Sequence, residues 1–238
     1  MYGWRAKLGL ILPANNTVAE PEMASHAPAG VSLHATKVLA RGSRVQERVG
    51  VLAQGVPAAR DALRDSRVDA LLYGCMMSCL AKGPEWERQL CESLGDADVP
   101  FQTAGRALLA ALTALSARRV SVFSPYSSEV SGWILGYLAI ANIDVVANVN
   151  YAQFADPHAV VAAHPERLFR AIAALPSADA LCILATDFPT FHIIERLEQA
   201  RCGPVVSSNS AALFWLLRAA GVRETVRGLG QLGERPAA

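Results

Sequence analysis

Cysteine is the residue whose chemistry depends most on where it stands, and this 238-residue chain has five, at positions 75, 79, 91, 182 and 202. Cys75 closes the run Val68-Asp-Ala-Leu-Leu-Tyr-Gly-Cys75, a short apolar stretch that reads as a strand with the thiol at its carboxyl end. In an open α/β sheet, ligands bind outside the carboxyl ends of the strands. A thiolate placed there is a nucleophile toward carbon. The competing reading is a small buried hydrophobe, the role of most free cysteines. Cys79, four residues further on, is the second-choice thiol. Cys182 lies in an apolar run and Cys202 precedes Gly203, so both read as structural. An odd, scattered set in a chain too large to need staples fits reduced thiols in the cytosol, so a cytoplasmic protein is expected. Cys75 and Cys79 make a C-x3-C pair with no second pair and no nearby histidine, and His26, His34, His164 and His192 show no ligand spacing, so no metal is expected.

The elements that must position Cys75 are legible around it. Residues 7–12, 31–38 and 99–103 read as strands. Val49, Leu52, Val56, Ala59 and Leu63 step by three and four, as on an amphipathic helix. Pro84-Glu-Trp-Glu opens a further helix, with Trp86, Leu90 and Leu94 as its apolar stripe. Ala107, Leu108, Ala111, Leu112 and Leu115 mark another. Alternation of this kind implies parallel sheets covered by helices.

The second half repeats the scheme. Arg119-Val-Ser-Val-Phe-Ser-Pro125 parallels Lys7-Leu-Gly-Leu-Ile-Leu-Pro13, Asp179-Ala-Leu-Cys-Ile-Leu-Ala185 parallels Asp69-Ala-Leu-Leu-Tyr-Gly-Cys75, and Gly203-Pro-Val-Val-Ser-Ser208 parallels Val99-Pro-Phe-Gln-Thr-Ala104. The offsets drift only as loop-length changes allow. Two such halves about a pseudo-twofold axis would hold a ligand between facing strand tips. The counterpart of Cys75 is then Ala185, which has no proton to give or take. Asp187, two residues beyond, could take over proton transfer if burial raised its pKa, with Thr186 orienting it. The alternative for Asp187 is the N-cap of a helix over residues 189–200. His158 is either a further acid–base candidate or an exposed loop histidine.

Composition bounds the function. At 52% hydrophobic and 18% charged, the chain can build one large core or two small ones. A net charge of +1 without a basic cluster excludes nucleic acid as the expected partner. No apolar run approaches the roughly 18 residues that span a bilayer, and the leading run is too short for a signal core. No membrane association is expected.

Leu8-Gly-Leu-Ile-Leu-Pro-Ala-Asn-Asn-Thr17, Gly74-Cys75, Ser124-Pro-Tyr126, Pro204-Val-Val-Ser-Ser-Asn209 and Gly228-Leu-Gly-Gln-Leu232 together resemble the maleate cis–trans isomerase and arylmalonate decarboxylase family of the aspartate/glutamate racemase superfamily. The resemblance runs nearly end to end. It implies an α/β protein of two pseudo-symmetric Rossmann-like (flavodoxin-like) halves with parallel sheets, an active-site cleft between them, no cofactor and no metal. The halves are expected over residues 1–112, joined by 213–238, and over residues 113–212. The resemblance also implies a homodimer.

In such enzymes a cysteine usually stands on each side of the substrate. Racemases use both, maleate isomerase uses the first as a nucleophile that adds to the double bond, and arylmalonate decarboxylase keeps only the second as a proton donor. This chain keeps the first, Cys75, and has Ala185 for the second. The resemblance therefore implies a cofactor-independent cis–trans isomerase acting on an unsaturated (di)carboxylate. A decarboxylase, lyase or racemase-like enzyme on a bulkier carboxylate, with Asp187 as partner of Cys75, stays open. So does a small-molecule binding protein. By the same matching, Asn16 and Tyr126 bind the substrate carboxylate, as do Ser207, Ser208 and Asn209, whose loop precedes a helix where an anion is favoured. Asn16 reads equally as an N-cap or Asx-turn residue, and Tyr126 as a turn residue after Pro125.

There are departures. Small hydroxyl residues usually follow the first cysteine, but here Met76 and Met77 stand there, apolar and at best weak acceptors. A dicarboxylate would lose hydrogen bonds at that wall, each contributing about 1.5–3 kcal/mol, so a bulkier or less charged substrate is expected. The asparagine of the loop before Pro165 has no match; Asp156, Pro157 and His158 occupy that region.

Overall fold

The computed structural model describes residues 2–150 and 165–235. Asp156, Pro157, His158 and His164 lie outside the described residues. Strands β1 (Ala6–Pro13), β2 (Val31–Val38), β3 (Ala70–Tyr73) and β4 (Phe101–Thr103) form one parallel sheet in the order β2-β1-β3-β4. Strands β5 (Arg119–Ser124), β6 (Asp144–Asn150), β7 (Ala180–Ile183) and β8 (Val205–Ser207) form a second parallel sheet in the order β6-β5-β7-β8. The two orders are the same, and each is the opening of the flavodoxin-like order. The chain is thus an α/β protein of two pseudo-symmetric halves.

One repeated contact shows how the sequence sets the register. Asp69 and Asp179 stand just before β3 and β7. Each carboxylate accepts from the first backbone N–H groups of the neighbouring central strand: Lys7 at 2.7 Å in one half, Arg118 and Arg119 at 3.0 and 2.8 Å in the other. Each aspartate N–H donates back, to the carbonyls of Lys7 and Arg119. The central strands are buried almost throughout, as strands covered on both faces must be.

The described helices are α1 (Ala19–His26), α2 (Val45–Asp65), α3 (Met76–Leu94), α4 (Ala104–Ala114), α5 (Ser128–Ile140), α6 (Pro165–Ala173), α7 (Phe191–Arg201) and α8 (Ser208–Ala219), with a final turn of 3-10 helix at Gly230–Glu234. Val49, Leu52, Val56, Ala59 and Leu63 are the buried stripe of α2, as their spacing predicts. The sequence places a helix start at Pro84; the structure starts α3 eight residues earlier. Gly83, at φ 81° and ψ 172°, breaks the helix, and Pro84 restarts it. The halves exchange packing. Helix α8 lies on α4 and reaches α1, β1 and β3, while α4 reaches β8. No helix among the described residues is long and apolar enough to cross a membrane.

Candidate active site

A cavity of about 300 Å³ opens where the two sets of strand tips meet. Cys75 lies on its wall, two residues past β3 and at the N-cap of α3, 3% exposed. Gly74 sets the approach: its N–H donates to the Ile11 carbonyl at 2.8 Å, and a Cβ there would stand 2.5 Å from Leu12 Cδ2. The Tyr73 hydroxyl donates to Ser78 Oγ at 2.9 Å, and Ser78 Oγ donates to Cys75 Sγ at 3.2 Å. Burial pushes the Cys75 thiol up from its ordinary value. The Ser78 hydroxyl, then the backbone N–H of Ser78, the Tyr73 hydroxyl and the backbone N–H of Met77 oppose that rise. The Ser78 donor and the position of Cys75 at the start of α3 favour the charged thiol, against the larger effect of burial.

The second half supplies the facing wall. Leu184 N donates to the Phe123 carbonyl at 2.9 Å, as Gly74 N does to Ile11. Residues 74 and 184 are therefore equivalent, and Ala185 occupies the place of Cys75. Ala185 lines the cavity, and its N–H donates to Ser208 Oγ at 3.2 Å. The tips are tied across the cleft. Asn16 Nδ2 donates to Thr186 Oγ1 at 3.1 Å, and Thr186 Oγ1 donates to the Gly74 carbonyl at 3.0 Å. Asn16 Oδ1 accepts from Val18 and Ala19 N–H, so the turn role and a place on the cavity coexist. Asp187 is half-buried on the same wall, and its Oδ1 accepts from Thr17 N–H at 3.0 Å. It does not cap the following helix, because α7 begins later, with Thr190 at the N-cap.

Tyr126 lines the cavity. Burial, then the nearby Cys75, pushes its phenol well above the usual value and keeps it a neutral donor. Met76 and Met77 line it as well. Met76 is fully buried and packs into the large core, while Met77 is half-buried against the smaller cluster around α2. The structure thus brings Cys75, Met76, Met77, Asn16, Tyr126, Thr186 and Asp187 to one cavity.

It does not bring Ser207, Ser208 or Asn209 there. All three are fully buried beneath the wall. Ser207 caps α8, accepting from Ser210 N–H at 3.0 Å, and also accepts from the Thr190 hydroxyl at 2.8 Å. Asn209 Nδ2 donates to Glu22 at 2.7 Å and to the Thr186 carbonyl at 3.1 Å. A Ser-Ser-Asn run before a helix serves capping and anion binding equally well by type, and here the backbone takes it. Cys79 is buried behind Cys75, its thiol 3.2 Å from the Cys75 carbonyl. Cys182 is buried in β7 and Cys202 is exposed. No group of His, Cys, Asp and Glu among the described residues could hold a metal ion.

Sequence reasoning missed Arg48, Val45 and Leu52 on α2, Ala40 before it, and Ser127 and Val130 beside Tyr126, all on the cavity. Leu52 belongs to the recognised apolar stripe. Arg48 precedes stripe residue Val49, which was the available signal.

Two parallel α/β halves with a thiol at the strand tips between them define a two-half α/β protein with its candidate site in the cleft. The sequence profile of the family described as Arylmalonate decarboxylase matches residues 8–233, and the chain belongs to that family. A maleate isomerase from Nocardia farcinica is 26% identical over 241 residues, covering 95% of this chain and 94% of that one. Among solved structures, the maleate isomerase of Pseudomonas putida S16 with maleate superposes with a TM-score of 0.89 at 25% identity, over 96% of this chain and 97% of that one. A Cys-to-Ser variant of the Nocardia farcinica enzyme with a covalently bound succinylcysteine intermediate gives 0.88 at 23% identity, over 96% and 98%.

Proposed function

We propose that this protein is a cis–trans isomerase of unsaturated carboxylates of the maleate type, working by reversible addition of Cys75. The observation that carries this is the one-sided cavity. A supported thiol stands on one wall, and Ala185, unable to move a proton, stands at the equivalent place on the other.

In this mechanism Asp187, the carboxylate among the described cavity residues, accepts the Cys75 proton. The thiolate forms a C–S bond to one alkene carbon. The π pair moves to the adjacent carbon and into its carboxylate, leaving a single bond about which the molecule rotates. The pair then re-forms the double bond, the C–S bond breaks, and the thiolate leaves. Atoms, charge and protons balance with no proton delivered to carbon. Decarboxylation and racemisation both require a proton delivered to carbon, which reversible addition does not. Ser78 and the α3 N-terminus support the thiolate at start and finish. Tyr126 and Asn16 hold a carboxylate. The relatives named maleate isomerase, one of them trapped with a covalently bound succinylcysteine, support the step in which a cysteine forms a C–S bond to the alkene carbon. A small-molecule carboxylate as substrate, a homodimer and a cytoplasmic location complete the proposal.

Proton NMR on maleate incubated with the wild type and with Cys75→Ala tests it. Conversion to fumarate by the wild type alone is the expected result. Absence of conversion by the wild type would overturn maleate as substrate and favour a binding protein.

A further inference from the structure

Arg48 is the charged residue of the described cavity lining that the mechanism leaves unused. It stands in the second turn of α2, three residues after Val45 and four before Leu52, and all three line the cavity. Residues at these spacings share a helix face. The same cavity lining includes the apolar Ala40, Val45, Leu52, Met77 and Val130. Several other arginines of the described residues have evident occupations. Arg5 holds Glu224, Arg88 holds Glu85 and Glu92, Arg196 holds Glu166, and Arg201 and Arg218 hold backbone carbonyls. Among the described residues Arg48 has no ion pair and no side-chain hydrogen bond, and its Nε is buried without a partner. A buried N–H is costly unless something accepts from it. A guanidinium offers a planar fork that matches a carboxylate.

We propose that Arg48 is the receptor for the second carboxylate of the substrate and selects diacids over monoacids. The inference rests on the isomerase reading and deepens it. Met76 and Met77 offer no side-chain donor at the wall beside Cys75, which by itself points to a less charged substrate. Arg48 reverses that expectation by returning a charged donor from α2. The hydrocarbon between the two carboxylates lies along Leu52, Met77 and Val130. Thiolate addition sends an electron pair into a carboxylate, so a guanidinium there also stabilises the charge that develops.

The test compares alkylation of Cys75 by iodoacetate and by iodoacetamide, near-isosteric reagents of which only the first carries a carboxylate. The adduct is quantified on the Cys75 peptide by mass spectrometry, in wild type, Arg48→Met, Arg48→Gln and Arg48→Lys. The ratio of the two rates cancels any change in thiolate fraction or folded population. A charged hydrogen bond implies that the ratio falls about 10- to 100-fold in the Met and Gln variants and is partly restored in the Lys variant. An unchanged ratio in Arg48→Met overturns the inference. A readout independent of thiol reactivity is the rise in Tm caused by succinate against succinamate. The preference for succinate disappears in Arg48→Met, and its persistence would equally refute the assignment. If the wild type fails to isomerise maleate while the ratio still falls, the isomerase proposal is lost and the carboxylate receptor stands. If Arg48→Met isomerises maleate with unchanged kcat/KM and an unchanged ratio, the reverse holds.

Discussion

Ser78→Ala isolates what supports the thiolate. The variant removes the hydroxyl 3.2 Å from Cys75 Sγ and changes nothing else on the cavity wall. A hydrogen bond to a charged group contributes about 1.5–3 kcal/mol. At 1.36 kcal/mol per unit, the Cys75 pKa, already raised by burial, climbs by about one to two further units. The thiolate fraction at neutral pH falls accordingly, while each thiolate becomes more nucleophilic, with a Brønsted coefficient of about 0.4–0.5. The two effects leave a net loss of about 3- to 10-fold at neutral pH and a gain once the thiol is fully ionised. The assay is the rate of Cys75 alkylation, and of isomerisation, across pH. A crossing of the wild-type and variant profiles is expected. Profiles that coincide, or that fall in parallel at every pH, would refute the relay. The variant also leaves the buried Tyr73 hydroxyl without its acceptor, costing about 1–3 kcal/mol of stability. Adding Tyr73→Phe restores that stability without restoring the pKa.

Isomerisation by the wild type in D2O places no deuterium on the alkene carbons, and Ala185→Cys introduces exchange; NMR showing deuterium in the wild-type product would rule out addition without protonation. Met77→Thr returns a hydroxyl to the wall and raises kcat/KM for maleate about 10-fold, as one charged hydrogen bond requires. Glu22→Ala strands the Thr190 and Phe191 N–H groups and the Asn209 amide, lowering stability by about 2–4 kcal/mol in urea denaturation. Stability falls above about pH 8.5, the ordinary thiol value. Burial holds the Cys91 and Cys182 pKa values near about 11 and about 12 in the folded state, so the unfolded chain gives up its protons first and the contribution drains away as pH rises. Cys182→Ala flattens that decline in Tm.

The repeat was legible because it is written twice in the same terms: an aspartate, a short apolar run, and a small residue at the tip. Asp69 and Asp179 turn out to pin the strands on either side, so the sequence similarity between halves has a geometric cause. The start of α3 was hidden because Gly83 and Pro84 are ordinary helix boundaries. Only the tertiary setting, with Met76, Cys79 and Leu80 buried, carries the helix up to them. Arg48 was hidden for a related reason. A cation beside an apolar stripe reads as part of a solvated face, and periodicity cannot show that a cleft lies there instead.

The cleft around Ala185 does not depend on the side chain at that position. The residues around position 185 are held by contacts that do not involve its side chain. Its N–H is fixed by Ser208, Thr186 is fixed by Asn16 and the Gly74 carbonyl, and the Thr186 carbonyl is fixed by Asn209, itself anchored on Glu22 from α1. A side chain ending at Cβ leaves that lattice intact and removes one function, proton transfer to the far face of the ligand. Reversible addition from the Cys75 side needs no such transfer. A cavity with this frame, a thiol beside a Ser78 donor, and the Arg48 guanidinium on its lining suits the proposed addition from the Cys75 side.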